Sequence, residues 1–269
     1  HGCWQMKTGV VLANFGGPQN ANELVPFLTR LFQEVLPGPA CLKSKLTPTI
    51  ARRRAKIVEP HYKSIGWSRV VPTNNLLVTA LEEALGHEGP PVEAGMMFSA
   101  PEFSDAITRL KSKGVNALIV VPMFPHFSLA TTNIAFTFLY EALKQSGNEN
   151  WPVHYIPAYY EHPLYVQAVA ATIREGIEQM GQSETVELVF TPHGLPVSYQ
   201  QKRGDPYPEH VRHTVQAVIN ELNWENPWHI GWQSRIGPVR WLEPSTLKMV
   251  EELGRNGTKR VLFVPLSFV

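Results

Sequence analysis

The sequence predicts an α/β protein with parallel sheets, divided into two lobes. Short apolar runs rich in Val, Ile and Phe alternate with amphipathic stretches of helical length, which is the pattern of strand–helix units. Hydrophobic residues make up 43% and charged residues 17% of the chain, which is enough apolar material for a packed core. A single core usually stops growing near ~250–300 residues, so a chain of 269 residues favours two lobes.

Seven apolar runs have the length and composition of buried strands in a parallel sheet. They cover residues 9–13, 92–98, 117–122, 153–156, 186–190, 228–232 and 260–264. The last run continues to Phe268, and the sequence then stops without the helix that should cover this strand. We therefore expect the chain to be truncated at its C-terminal end.

Eight amphipathic stretches between these strands predict helices that cover the sheet faces. They span residues 22–32, 50–65, 76–85, 104–113, 132–143, 163–180, 209–222 and 245–253. The polar segment 146–152 contains a glycine and is typical of a linker. We place an N-terminal lobe at residues 6–130 and a C-terminal lobe at residues 131–269.

Charge and cysteine content exclude several kinds of protein. Lys and Arg number 24 against 23 Asp and Glu, so no long-range field attracts nucleic acid. Cys3 and Cys41 are too few for a four-cysteine iron–sulfur cluster and form no disulfide framework, as expected for a reducing compartment. No apolar run approaches the ~20 residues of a membrane span. We expect a cytoplasmic protein without a transmembrane segment, and peripheral membrane contact and oligomeric state stay open.

The loops that follow the strands are the expected location of a functional site, because open parallel sheets bind ligands at the carboxyl ends of strands. Residues 14–18 read Asn-Phe-Gly-Gly-Pro, and their glycines allow a ligand to approach the backbone closely. The loop lacks the G-x-G-x-x-G spacing of dinucleotide-binding proteins. A nucleotide-binding function is therefore disfavoured.

Three adjacent arginines, Arg52, Arg53 and Arg54, lie in a predicted helix. Neighbouring residues of a helix point about 100° apart, so one or two of these side chains could reach a carboxylate as forked donors. A carboxylate-bearing ligand would suit them. The alternative is a solvated basic face of the helix.

His193 follows an apolar strand in the sequence Phe-Thr-Pro-His-Gly-Leu-Pro at 190–196. An imidazole presented at the edge of a sheet can ligate a metal or accept a proton near neutral pH. A structural role is the alternative for a lone loop histidine. His210 and His213 have helical spacing but no third ligand nearby, which favours an ordinary helix surface over a zinc-like site.

Ordered motifs along residues 8–269 resemble those of the ferrochelatase family. Residues 190–207, with His193 and Gly-Asp-Pro-Tyr at their end, resemble the family's histidine signature, and Trp-Gln-Ser-Arg-Ile-Gly-Pro at 232–238 resembles its second signature. Three further segments occur in the same order as in the family, namely the loop 14–18, the segment from Arg53 to Tyr62 and residues 124–128. One departure is the turn Gly66-Trp67-Ser68, where the family has a glycine-rich turn containing serine.

The resemblance implies two flavodoxin-like, chelatase-like lobes, each a parallel sheet flanked by helices, with the active site in the cleft between them. It implies insertion of ferrous iron into protoporphyrin IX or a related porphyrin in haem biosynthesis. Iron and porphyrin would be substrates, and no permanently bound cofactor is expected. Protoporphyrin and coproporphyrin are not distinguished.

The resemblance also implies roles for individual residues. His193 would act at the ring centre, as proton acceptor or as iron ligand, and the sequence leaves these two roles open. An apolar pocket would be formed by Phe15, Tyr207, Trp232 and Trp241. The porphyrin propionates would be held by Arg53, Arg54, Tyr62, Ser68 and Gln233.

A catalytic glutamate that relatives carry after the last strand is absent from this sequence. We therefore expect slow iron insertion by this chain, unless Glu243 or Asp205 replaces that acid. A non-catalytic tetrapyrrole-binding protein is one alternative function. A cobalt or nickel chelatase of the same fold is another, although such proteins present more than one histidine to the metal and lack the Gly-Asp-Pro-Tyr and Trp-Gln-Ser segments.

Overall fold

The computed structural model describes residues 6–36, 38–181, 185–235 and 238–267, and it confirms the α/β fold class with parallel sheets. The strands are β1 (Thr8–Asn14), β2 (Val92–Met96), β3 (Ala117–Pro122), β4 (Val153–Tyr155), β5 (Glu187–Phe190), β6 (Trp228–Ile230) and β7 (Val261–Val264). The helices are α1 (Ala21–Val35), α2 (Ala40–Ser64), α3 (Val70–Leu85), α4 (Phe103–Ser112), α5 (Thr132–Gln145), α6 (Pro163–Met180), α7 (Val197–Arg203), α8 (Tyr207–Leu222) and α9 (Thr246–Arg255).

The chain forms two compact units whose boundaries differ from the predicted one near residue 130. One unit comprises His1–Met123 and Ile134–Ile156, and the other comprises Phe124–Asn133 and Pro157–Val269. Strand β4 pairs with β3 and so belongs to the first sheet. Parallel neighbours need a crossover, and α5 supplies it. The apolar run of β4 identifies a strand but not the sheet that this strand joins.

The first unit has a four-stranded parallel sheet in the order β2-β1-β3-β4. Residues Val10, Val11, Leu12 and Ala13 of the interior strand β1 are all buried, because helices cover both faces of such a sheet. Asn14, also buried, ends β1 and places the glycine-rich loop at the carboxyl edge.

The second unit has a three-stranded parallel sheet in the order β6-β5-β7. Leu188, Val189 and Phe190 of the central strand β5 are completely buried. Val211 and Val215 of α8 are equally inaccessible and pack in the same core as Leu188. This core fixes the carboxyl end of β5, from which the loop with His193 starts.

The helices include three departures from the sequence prediction, one of which is that α3 begins at Val70, six residues before its predicted start. Helix α2 begins at Ala40, ten residues before the predicted start, although Pro48 lies inside it. Helix α7 was not predicted, because its seven residues are too few and too polar to show an apolar period. Among the described residues, no helix is long and apolar enough to cross a bilayer. Ile236 and Gly237 of the second signature, and Phe268, lie outside the described residues.

Candidate active site

The loop after β1 packs tightly against neighbouring serines. Gly16 has φ of +83°, and a Cβ there would collide with Ser99 Oγ, while a Cβ on Gly17 would collide with Ser68 Oγ. The backbone N–H of Gly17 donates to Ser99 Oγ at 3.1 Å. These close approaches require glycine at both positions. They hold Phe15 half-buried at the edge of the sheet, with its ring 4.7 Å from that of Phe98.

Two buried asparagine side chains, Asn14 and Asn74, hold this loop in place. Asn14 Oδ1 accepts from the backbone N–H of Phe15 at 2.7 Å, and Asn14 Nδ2 donates to Asn74 Oδ1 at 3.0 Å. The two side chains therefore link the loop to helix α3. Sequence reasoning missed Asn74, because an asparagine within a helix gives no signal of its tertiary partner.

The end of α2 brings Tyr62, Trp67 and Ser68 together. The rings of Tyr62 and Trp67 stack with centroids 5.9 Å apart and planes 16° apart. Ser68 follows directly, and its backbone N–H donates to the carbonyl of Pro18 at 3.0 Å. Burial raises the pKa of Tyr62, so its hydroxyl stays protonated and can donate. Ser68 thus lies beside the loop that carries Phe15, and Tyr62 is connected to it through the stacked ring of Trp67.

Trp67 has an uncommon backbone conformation, with φ of +69° directly after Gly66 at +71°. The left-handed region costs a residue with a Cβ about 1–2 kcal/mol, whereas it costs glycine almost nothing. Stacking on Tyr62 stabilises the folded chain by about 0.5–1.5 kcal/mol. The two terms nearly cancel, so folding stability alone gives no reason for a tryptophan at this turn.

Arg53 and Arg54 lie on the exposed part of α2, and neither forms an ion pair with a described acidic residue. At about 100° per residue, Arg53 points about 180° away from Tyr62 around the helix, whereas Arg54 points only about 80° away. The structure therefore separates the two arginines that the sequence grouped together. Arg54 is the one that shares a flank of the helix with Tyr62.

In the second unit, three hydrogen bonds form a closed ring around the backbone of His193. Its N–H donates to Ser267 Oγ at 2.6 Å, and Tyr207 Oη donates to its carbonyl at 2.9 Å. Tyr207 Oη and Ser267 Oγ are 2.8 Å apart. Because Tyr207 uses its proton on the carbonyl, the Ser267 hydroxyl donates to Tyr207. Sequence reasoning did not identify Ser267, since a serine after a strand forms no recognisable pattern.

The His193 side chain is largely buried and chemically available. Burial lowers the pKa of the imidazole, which is therefore neutral at pH 7. Neither ring nitrogen has a hydrogen-bond partner within the described part of the chain. The ring thus keeps a free lone pair that can accept a proton or ligate a metal ion.

The segment after β6 runs beside the His193 loop and fixes its path. The N–H of Gly194 donates to the carbonyl of Gln233 at 2.7 Å, and the N–H of Gln233 donates to the carbonyl of Pro192 at 2.9 Å. The Gln233 side chain donates to the carbonyl of Thr191. Within the described part of the chain, one amide hydrogen and the amide oxygen of Gln233 have no partner, so they can bind a ligand.

The predicted aromatic residues of this unit have different environments. Trp232 and Tyr207 are only 5% and 6% exposed, with ring centroids 6.0 Å apart, so they are core residues that support the loop. Trp241 is half-buried, and its ring lies near Gly194, the neighbour of His193. Burial raises the pKa of Tyr207, which keeps its hydroxyl protonated as a donor. Phe15 and Trp241 are thus the two candidates that offer accessible ring surface.

Asp205, the acid of the Gly-Asp-Pro-Tyr segment, is buried, and both of its carboxylate oxygens accept hydrogen bonds. Its carboxylate accepts hydrogen bonds from Ser128 Oγ at 2.9 Å, from the N–H of Leu129 at 2.9 Å and from the N–H of Tyr207 at 3.0 Å. Glu243 is exposed and accepts from the N–H of Ser245 at 3.1 Å. These bonds link the 128–129 loop to the start of α8 and give Asp205 a structural role.

The histidines of α8 form no metal site. His210 stacks on Tyr160 at 3.9 Å and accepts from the N–H of Phe127 at 3.2 Å, and His213 lies 3.1 Å from Glu161. Across the described residues, no group of three or more His, Cys, Asp or Glu side chains could hold a metal ion.

His126, which sequence reasoning did not single out, is a buried neutral histidine. Its Nε2 lies 3.0 Å from Thr214 Oγ1, and that hydroxyl donates to the carbonyl of Tyr160 at 2.7 Å. Thr214 must then accept from His126, so the proton is on Nε2. Burial, reinforced by His210, lowers the pKa of His126 to about 3.

This histidine should make the protein sensitive to acid. The unfolded chain binds a proton on His126 below its ordinary pKa of 6.5, but the folded chain does so only near pH 3. The free energy of unfolding should therefore fall from pH 6.5 downward, by up to ~1.4 kcal/mol per pH unit for this group. His126→Gln keeps an N–H donor for Thr214 and should remove this part of the slope in urea unfolding at pH 6.5 and pH 5. Equal slopes for both proteins would contradict the assignment.

Comparison with known proteins gives consistent matches along the chain. The family model described as ferrochelatase matches residues 7–269. A ferrochelatase of Geotalea uraniireducens is 40% identical over 267 residues, which cover 98% of this chain and 82% of the relative. A ferrochelatase of Geotalea daltonii is 39% identical with the same coverage, and one of Synechococcus elongatus is 34% identical over 98% of this chain and 70% of its own length. Each similarity includes residues of both units.

Proposed function

Because this chain belongs to the ferrochelatase family, we propose that His193 acts at the centre of the porphyrin during metal insertion. The chain is a metal chelatase that inserts ferrous iron into a porphyrin in haem biosynthesis, with iron and porphyrin as its substrates. We further propose that it works without a permanently bound cofactor. The observation that supports the role of His193 is its neutral imidazole, which has a rigidly held backbone and no described hydrogen-bond partner on the ring.

The reaction removes two pyrrole N–H protons and admits one ferrous ion. A neutral imidazole can take a pyrrole proton or ligate the incoming ion, and both uses need the free lone pair of His193. Burial lowers the pKa of His193, so a proton that it accepts is released readily. The same burial keeps the ring neutral, as a metal ligand must be.

Apolar contact to the macrocycle is proposed for Phe15 in the first unit and Trp241 in the second. Both rings are half-buried; Phe15 packs edge-on against Phe98, and Trp241 lies near Gly194. Trp232 and Tyr207 hold the His193 loop from within the core. Rigidly held aromatic side chains can distort a planar macrocycle, which exposes its nitrogen lone pairs for metal binding.

Binding of the propionates is proposed for Arg54, Tyr62 and Ser68, with the remaining donor of Gln233. Arg54 has no acidic partner among the residues described, and its forked donors suit a carboxylate. Tyr62 stays protonated and adds a neutral donor. Pairing the carboxylates in this way lets the apolar ring be buried without burying a free charge.

The two arginines provide a matched pair of variants. Arg54→Ala should weaken binding of a porphyrin that carries propionates by roughly 1.5–3 kcal/mol, the value of a hydrogen bond to a charged group. Arg53→Ala should have little effect, because its side chain points away from Tyr62. Porphyrin affinity can be measured by fluorescence titration with the free acid and its methyl ester. Equal effects of Arg54→Ala on acid and ester would contradict a propionate contact.

An anaerobic chelation assay tests the activity directly. Free porphyrin and metalloporphyrin have different absorption spectra, so turnover with ferrous or zinc ion can be followed continuously. We expect catalytic insertion of iron without an added cofactor. Porphyrin binding without turnover would favour a non-catalytic tetrapyrrole-binding protein, and turnover with cobalt or nickel but not iron would favour the other chelatases.

A further inference from the structure

The turn between α2 and α3 contains a residue whose conformation is unsuited to its type. Gly66 and Trp67 both have left-handed φ values, +71° and +69°. A glycine at position 67 would adopt this conformation without strain, whereas a bulky side chain there is a genuine outlier. Such outliers concentrate at sites that bind ligands, where the surrounding structure enforces them.

The strained backbone directs the indole of Trp67 onto Tyr62. The two stacked rings are half-buried, so each keeps surface that no part of the described chain covers. Neither the hydroxyl of Tyr62 nor the indole N–H of Trp67 has a hydrogen-bond partner within the described ranges. Two aromatic surfaces and two free donors therefore lie side by side.

This aromatic pair is fixed relative to the loop after β1. Trp67 is followed by Ser68, whose N–H donates to the carbonyl of Pro18 at 3.0 Å. Gly17 approaches the Ser68 hydroxyl so closely that a Cβ would not fit. The pair and the half-buried Phe15 thus belong to one rigid part of the first unit.

We propose that Trp67 is a specificity-determining residue that, together with Tyr62, contacts the carboxylate-bearing edge of the substrate macrocycle. This inference rests on the proposed function for the identity of the ligand. The aromatic faces suit a flat apolar ring, and the two free donors suit carboxylate oxygens. A ligand with both features matches the pair, which explains a tryptophan at a position whose backbone conformation suits glycine.

Trp67→Gly separates this role from a structural one, because the two roles predict opposite results. The variant should unfold at a urea concentration close to that of the wild type, since the relief of backbone strain offsets the lost stacking on Tyr62. Its KM for porphyrin should rise about fivefold or more through loss of the aromatic contact, with kcat within about twofold. Trp67→Phe keeps an aromatic ring and should stay within about threefold of the wild-type KM.

Two outcomes would overturn the inference. Trp67→Gly with an unchanged KM would show that the substrate does not contact the indole. If Trp67→Gly unfolded more easily than the wild type and Trp67→Phe had an equally raised KM, the residue would only support the turn. A wild-type chain that neither binds nor metallates porphyrin would instead contradict the proposed function, and with it this inference, so the two failures are distinguishable.

Discussion

His193→Ala should abolish measurable iron insertion while porphyrin affinity changes by no more than a few fold. The imidazole is proposed to act on the ring centre, whereas affinity comes from aromatic and carboxylate contacts elsewhere. Removal of one acid–base group typically slows a reaction at least ~100-fold, and loss of a metal ligand adds to this. Initial rates with ferrous and zinc ion, together with fluorescence titration of porphyrin, measure the two effects separately.

His213→Ala is the matched control for this variant. His213 is exposed on α8 and lies 3.1 Å from Glu161, so its removal deletes an imidazole without affecting the loop after β5. Its turnover should equal that of the wild type. If His193→Ala lost binding and turnover in equal proportion, His193 would be a porphyrin contact and not the group that acts on the ring centre.

Asp205→Ala should have the largest effect on stability, lowering the free energy of unfolding by at least about 3 kcal/mol. Three donors, from Ser128, Leu129 and Tyr207, would lose a charged acceptor in a buried site. Each hydrogen bond to a charged group contributes about 1.5–3 kcal/mol, and an orphaned buried donor is costly. Urea unfolding followed by circular dichroism measures this change.

Glu209→Ala serves as the control for Asp205→Ala. Glu209 is exposed, and within the described ranges its side-chain partners are the surface residues Arg212 and Gln200, so its removal should change the free energy of unfolding by less than about 1 kcal/mol. Similar losses for both variants would mean that the buried carboxylate of Asp205 does not stabilise the fold in the way its contacts indicate.

The strands were the part of the fold that the sequence predicted best, since apolar runs such as Leu188–Phe190 can only be buried. Helix α7 and the first turns of α2 escaped prediction because they lack an inward apolar stripe, and Pro48 indicated a later start. The sheet to which β4 belongs depends on long-range pairing, which local pattern does not contain.

The candidate site, like the fold, could be predicted only in part from the sequence. His193 was identified from the segment around it, and the structure adds why it is held so firmly. Ser267, Asn74 and His126 act through partners distant in sequence, so no spacing could have revealed them. Arg53 and Arg54 could not be separated until Tyr62 was known to share one continuous helix with them.

The three hydrogen bonds at the His193 backbone all run in the same sense around their ring, and this determines whether the ring can carry protons. A backbone N–H can only donate and a carbonyl can only accept, so the circuit from His193 through Ser267 and Tyr207 runs in one sense. Proton conduction along hydroxyl groups requires every bond in the chain to reverse. The Ser267 and Tyr207 hydroxyls therefore form a closed loop with the His193 backbone and not a proton wire, so a pyrrole proton that His193 takes up under the proposed mechanism leaves by a route other than this loop.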